Sequence, residues 1–167
     1  MAERISPLAE RRVALSGGAA FIWSIAFAAL NFYWALGGTA GSATIGQAIT
    51  DLANDPAFTI ILWVTAVMKA LLGLLALVLI RPPVRRIPRR VVLTFGWAAG
   101  IGMVLYGGAS FIQHALMLTG AVHLPDGLGV TAARWHLALW DPWWLLGGIL
   151  FVAVTWFAAR MDGQGNF

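Results

Sequence analysis

The sequence predicts an all-α membrane protein built as a bundle of four transmembrane helices. Four apolar runs, at residues 13–36, 57–80, 91–119 and 142–159, are each long enough to cross a bilayer core, which takes about 20 helical residues. The composition is 60% hydrophobic and 11% charged, whereas an ordinary soluble domain has about 25% charged residues. We therefore expect one integral membrane domain that covers residues 1–167.

The positions of the arginines predict how this bundle is oriented. The N-terminal segment and the link at 81–90 are rich in arginine, and the C-terminal tail begins at Arg160. The longer links, at 37–56 and 120–141, hold only Arg134 between them. By the positive-inside rule, both termini and the 81–90 link face the cytoplasm, and the two longer links face outward. The expected location is a bacterial cytoplasmic membrane.

The cytoplasmic link, RPPVRRIPRR, combines proline with clustered positive charge. Proline cannot continue a helix, so the link predicts a turn between the second and third helices. We expect anionic lipid headgroups to contact Arg85, Arg86, Arg89 and Arg90. The alternative is that these arginines only fix the topology. Because the positive charge lies beside membrane helices, the formal net charge of +4 does not predict a nucleic-acid partner.

Two outer links end in the same way, with Asp55-Pro56 before the second run and Asp141-Pro142 before the fourth. Each aspartate is placed to cap free backbone N–H groups, and proline is favoured at the first helical position. The shared pattern is also consistent with a parallel repeat of two helical hairpins.

The outer links contain further helical patterns. Ile45, Ala48, Ile49 and Leu52 recur at helical spacing, which predicts a short amphipathic helix in the first link. In the second link, residues 131–140 fit either a similar helix or an extension of the fourth transmembrane helix.

Several segments together resemble a known family. They are NFYWALGGTAG at 31–41, the helix around Lys69, RRIPRR, LYGGASFIQHAL at 105–116 and RWHLALWDPWWLLGGILF at 134–151. This combination is similar to a family of uncharacterised four-helix integral membrane proteins found mainly in actinobacteria. The family is known as a domain of unknown function, so the resemblance implies the fold and no catalytic residues.

Lys69 is the ionisable residue that most needs an explanation, because it lies near the middle of the second run. A charge at that depth costs ~3 kcal/mol on insertion scales. We expect the helix to turn Lys69 toward the bundle interior. It would then be a structural lysine, a counter-ion for an anionic headgroup or a proton carrier; a snorkelling lysine is the remaining alternative.

Other polar and aromatic residues fall in the outer half of the predicted bundle. The candidates for ligand binding are Lys69, His114, Gln113, Asn31, Tyr106, His136 and Trp140. One interpretation is a single outward-facing cavity for a lipid or a small amphipathic ligand. The other is that the polar groups bond across helices and hold the bundle together.

No metal or other cofactor is expected from the sequence. His114, His123 and His136 do not form a pair four residues apart on one helix, and no carboxylate is expected to accompany His114. The absence of cysteine excludes disulfides and thiolate chemistry. The favoured function is ligand binding or a subunit role in a membrane assembly. The alternatives are an intramembrane enzyme on an isoprenoid or lipid, with His114 as acid or base, and a transporter formed by a homo-oligomer.

Overall fold

The computed structural model describes residues 7–46, 51–52, 55–81 and 87–164, and the secondary-structure elements in these residues are all helical. Its elements are α1 (Pro7–Ala35), a 3₁₀ turn (Ser42–Thr44), α2 (Pro56–Ile80), α3 (Arg89–Leu118), α4 (Gly129–Trp135) and α5 (Asp141–Gln164). A π-helical turn, His136–Trp140, joins α4 to α5. Four stretches, namely α1, α2, α3 and the continuous helix Gly129–Met161, are long and apolar enough to cross a membrane.

Neighbouring helices run in opposite directions and form a four-helix bundle. The closest packing is between α1 and α2, between α3 and α5, and between α1 and α5, whereas α2 and α3 pack sparsely. Trp23 and Phe27 of α1 and Phe151 of α5 are buried in the core. The predicted repeat of two hairpins agrees with the close packing of α1 against α2 and of α3 against α5. The repeat stays a prediction, because the hairpins contact each other unequally. Between them, α1 packs closely against α5, whereas α2 packs sparsely against α3.

Glycines permit the close approach of α3 and α5. A methyl group added at Gly100 would lie 2.8 Å from the backbone nitrogen of Val152, and one added at Gly148 would lie 2.7 Å from that of Val104. Real side chains cannot approach a backbone this closely, so the two helices can touch only where a side chain is lacking.

The bundle has two different ends. The end that holds the connections after α1 and after α3 is called the long-loop end here, and the opposite end holds the connection between α2 and α3. At that opposite end, the Arg89 guanidinium donates to the carbonyl oxygens of Val78 (3.4 Å) and Leu79 (3.3 Å), in the last turn of α2. Arg90 is exposed, and Arg85 and Arg86 lie outside the described residues. Contact of these arginines with lipid stays a prediction.

The helix start at Asp55 is confirmed, whereas the one at Asp141 is wrong. Asp55 is the N-cap of α2, and its carboxylate accepts a hydrogen bond from the Ala57 backbone nitrogen at 2.7 Å. At Asp141 the chain is already helical, because the last transmembrane helix begins at Gly129. A proline ring normally collides with the carbonyl four residues earlier, and the wider π-helical turn before Pro142 accommodates it.

This result settles the open choice for the second link, since residues 131–140 extend the fourth transmembrane helix. The amphipathic helix predicted from Ile45 to Leu52 lies partly outside the described residues, which omit 47–50. The 3₁₀ turn Ser42–Thr44 precedes it, and Ile45 is the C-cap of that turn.

Candidate functional site

Lys69 points into the bundle, which confirms the expectation for its direction. The side chain is only 6% exposed. Its Nζ donates to Asn31 Oδ1 at 3.2 Å and lies 4.4 Å from the ring centre of Phe27 and 5.4 Å from that of Trp144. These rings offer cation–π contacts. Among the residues that the structure describes, no carboxylate forms an ion pair with Lys69.

Asn31 is the centre of a small hydrogen-bonded network that joins α1 to α2. Its Oδ1 accepts from Thr65 Oγ1 at 3.0 Å as well as from Lys69. Its Nδ2 donates to the Phe27 carbonyl at 3.1 Å, which fixes the direction of the amide. The amide oxygen is therefore held toward Lys69 by a bond within its own helix.

A cavity of about 340 Å³ adjoins this network. Its base is polar, from Asn31, Thr65 and Lys69, and its walls are aromatic. The aromatic residues are Phe27, Trp34, Phe58, Tyr106, Trp140 and Trp144. Edge contacts hold the rings in place, for example between Tyr106 and Trp144, whose ring centres are 5.1 Å apart. A polar base inside aromatic walls is the usual composition of a small-molecule site.

Five residues of the loop after α1 line the cavity at the long-loop end, namely Gly37, Gly38, Thr39, Ser42 and Ile45. The indole of Trp140 donates to Thr44 Oγ1 at 3.2 Å, and that of Trp34 donates to the Ala40 carbonyl at 2.9 Å. These two hydrogen bonds fix the loop at the long-loop end, which is where the sequence predicted that the cavity would open. By contrast, Ile61 on α2 and Tyr106 on α3 line the cavity and are 56% and 57% exposed. The cavity thus reaches the surface between the two sparsely packed helices.

A second polar group lies beside the cavity and consists of His114, His136 and Asp141, called the His–Asp cluster below. Asp141 is 2% exposed. Its Oδ2 is 2.8 Å from His114 Nδ1, and its Oδ1 is 3.8 Å from His136 Nδ1. The two imidazoles stack with ring centres 4.5 Å apart. The prediction that His114 has no carboxylate partner is therefore wrong.

The π-helical turn explains why the sequence did not reveal this cluster. Residues five positions apart, such as His136 and Asp141, point about 140° apart on a regular α-helix. The i→i+5 hydrogen bonding of a π-helix brings them to the same side. His114 lies on α3, 27 residues before Asp141 in the chain, and contacts it from that neighbouring helix.

The structure brings together most of the predicted ligand-binding residues, but not all. Those that line the cavity are Asn31, Lys69, Tyr106, His136 and Trp140. Gln113 is exposed on the outside of α3, and the prediction that it lines the cavity is wrong. His114 belongs to the His–Asp cluster and does not line the cavity. The buried stripe of α3 includes Met103, Gly107 and Met117, and Gln113 falls to the side of it.

Sequence reasoning missed Thr65 and Phe27, which complete the Lys69 site. Thr65 and Lys69 are four residues apart and so share one face of α2. That spacing is a signal that the sequence contains.

The fold and the cavity define a small four-helix protein of the multi-pass membrane class. The chain belongs to the family described as Protein of unknown function (DUF3995), whose model matches residues 24–151. No curated protein and no solved structure shows a significant match to the chain. The matched range includes the Lys69 site and the His–Asp cluster.

Proposed function

We propose that this membrane protein binds a small amphipathic molecule with an anionic head group in the cavity beside Lys69. The observation that carries the proposal is the buried amino group of Lys69, which faces a cavity and has no carboxylate partner among the described residues. A cation buried within apolar helices is costly unless an opposite charge or hydrogen bonds compensate it.

The contacts of Lys69 leave room for such a head group. An ammonium has three N–H donors, and Asn31 Oδ1 accepts one hydrogen bond. The aromatic rings of Phe27 and Trp144 stabilise the charge but accept no conventional hydrogen bond. A carboxylate or phosphate oxygen would supply the missing acceptor and the missing charge.

The size and walls of the cavity suggest the rest of the ligand. At about 30 Å³ for each water-sized group, the cavity takes roughly a dozen non-hydrogen atoms. Aromatic walls favour an apolar body, and the surface between α2 and α3 offers an entry from the membrane. A short-chain lipid or a comparable amphipath meets these requirements.

The proposal includes the orientation and location inferred from the arginines. Both termini and the 81–90 link lie on the cytoplasmic side of a bacterial cytoplasmic membrane, and the long-loop end faces outward. Lys69 lies 13 residues after the start of α2 at Pro56, which places it about 20 Å from that end of the helix at 1.5 Å per residue.

The test is to identify what purifies with the protein. Wild type, Lys69→Met and the control Val67→Met are purified in the same detergent, and their organic extracts are compared by mass spectrometry. Val67 is on the same helix and is 47% exposed. A bound anionic amphipath should be present at near one per chain in wild type and in the control, and reduced at least tenfold in Lys69→Met. Equal amounts in all three proteins would contradict the proposal.

A further inference from the structure

We infer that the His–Asp cluster is a binding site for a divalent transition-metal ion at the edge of the cavity. One donor atom from each of His114, His136 and Asp141 lies within 4.8 Å of the others. His136 also lines the cavity. The inference does not depend on the ligand proposed for Lys69, because it rests on different side chains.

The hydrogen bond of His136 determines which of its nitrogens can bind a metal. Nε2 lies 3.0 Å from the backbone oxygen of Ile45, and because a carbonyl only accepts, Nε2 carries the proton and donates it. In the neutral ring, Nδ1 is then unprotonated, and its lone pair is available to bind a metal ion. This nitrogen lies 3.8 Å from Asp141 Oδ1. Metal-bound histidines commonly donate their other ring N–H to a backbone carbonyl in this way.

The distances between the donors suit a small metal ion. Zinc binds histidine nitrogen and carboxylate oxygen at about 2.0 to 2.2 Å, so neighbouring ligand atoms around tetrahedral zinc lie about 3.4 Å apart. Asp141 Oδ2 lies 2.8 Å from His114 Nδ1, and Asp141 Oδ1 lies 3.8 Å from His136 Nδ1, so the two separations fall on either side of this value. A metal ion would have to draw the three ligand atoms, which lie within 4.8 Å of one another, to this spacing. For His114 Nδ1 to bind the ion, the proton that it donates to Asp141 Oδ2 would have to move to Nε2.

Burial and donor chemistry support the same inference. The Asp141 carboxylate is nearly enclosed at 2% exposure, and its two oxygens face the two histidines. A buried carboxylate needs compensating positive charge, which a divalent ion supplies. Two imidazoles and one carboxylate leave a fourth position for water or for a ligand group, as in catalytic rather than structural zinc sites.

The test is metal binding by the full chain, purified in detergent with its affinity tag removed and treated with a chelator. Zn²⁺ is titrated and the bound metal is counted by elemental analysis, and Co²⁺ serves as a spectroscopic probe. We expect one Zn²⁺ per wild-type chain and visible Co²⁺ absorption typical of four-coordinate nitrogen and oxygen ligands. His114→Ala and Asp141→Asn should each weaken Zn²⁺ binding at least tenfold.

Two control variants make the result specific. His123 is exposed and lies outside the cluster, so His123→Ala should bind Zn²⁺ as wild type does. Lys69→Met should also retain Zn²⁺, which separates a failure of this inference from a failure of the ligand proposal. Absence of stoichiometric Zn²⁺ from wild type would overturn the inference. So would unchanged Zn²⁺ binding in both cluster variants. If the cluster variants do not fold, the wild-type Co²⁺ spectrum decides, and the weak absorption of six-coordinate Co²⁺ overturns the inference.

Discussion

The amino group of Lys69 lies 3.2 Å from the side-chain oxygen of Asn31, and this contact joins the middle of α2 to the last third of α1. Asn31 is 5% exposed and Lys69 is 6% exposed. An amide oxygen orients the amino group without neutralising its charge, so Asn31 holds a cation in place at the base of the cavity.

Replacing Lys69 with methionine should leave the folded protein as stable as wild type or make it more stable. The free energy of unfolding should change by between zero and about +2 kcal/mol, because apolar replacements of buried charges are often neutral or stabilising. Thermal unfolding of delipidated protein, followed by circular dichroism, measures this change. A loss of more than about 2 kcal/mol would show that Lys69 holds the bundle together and serves a structural role.

The two aspartates that precede prolines should respond differently to Asp→Asn. Asparagine is as good an N-cap as aspartate, so Asp55→Asn should be nearly silent. Asp141→Asn should cost about 1 to 3 kcal/mol, because it weakens a buried hydrogen bond to a histidine. Chemical denaturation of the two variants in the same detergent gives the comparison. Equal losses of unfolding free energy in the two variants would show that the contact between Asp141 and His114 does not stabilise the protein.

Glycine at the α3–α5 contact should be essential for packing. Gly148→Ala should destabilise the bundle by about 1 to 3 kcal/mol, because the added methyl group would meet the backbone of Val104. Gly102→Ala is the matched control on α3, where a methyl group would meet nothing within 4 Å. Unfolding of the two alanine variants tests this packing. If Gly148→Ala is as stable as Gly102→Ala, then α3 and α5 are too far apart for a methyl group at position 148 to meet the backbone of Val104.

The proposed orientation predicts which loop positions an impermeant thiol reagent can reach. Val122→Cys lies at the long-loop end and should react in intact cells, whereas Ile87→Cys, near the arginine-rich link, should react only after lysis. Both side chains are exposed, at 41% and 50%, and the chain has no native cysteine to react. Labelling of Ile87→Cys in intact cells would reverse the orientation.

Much of the fold could be predicted from the sequence, because membrane helices have a strong signal. Apolar length defines the four spans, and the predicted start of α2 at residue 57 differs by one residue from the observed Pro56. The start of the last span was predicted 13 residues late, at 142 rather than at Gly129. Asp141-Pro142 has the pattern of a helix start, and only the π-helical turn shows that the helix passes through it.

The candidate site was predictable only in part. The cost of burying a charge predicts that Lys69 turns inward, and that reasoning does not require the position of any other helix. The His–Asp cluster depends on an irregular turn and on contact between α3 and α5, neither of which has a local signal. Gln113 was assigned to the cavity because spacings of three and four residues place it on one face of the helix with Tyr106 and His114, but its side chain is exposed.

Binding of a matched pair of brominated probes tests the central claim most directly. The probes are 11-bromoundecanoate and 11-bromoundecanol, which differ in head-group charge and are about the size of the cavity. Bound in the cavity, their bromine should quench the fluorescence of the tryptophans that line it, Trp34, Trp140 and Trp144. Wild type should bind the carboxylate at least tenfold more tightly than the alcohol. Lys69→Met in the same detergent, which also controls for partition into micelles, should bind both probes equally. Equal binding of the two probes to wild type, or an unchanged preference in Lys69→Met, would contradict the role of Lys69 as the partner of an anionic head group.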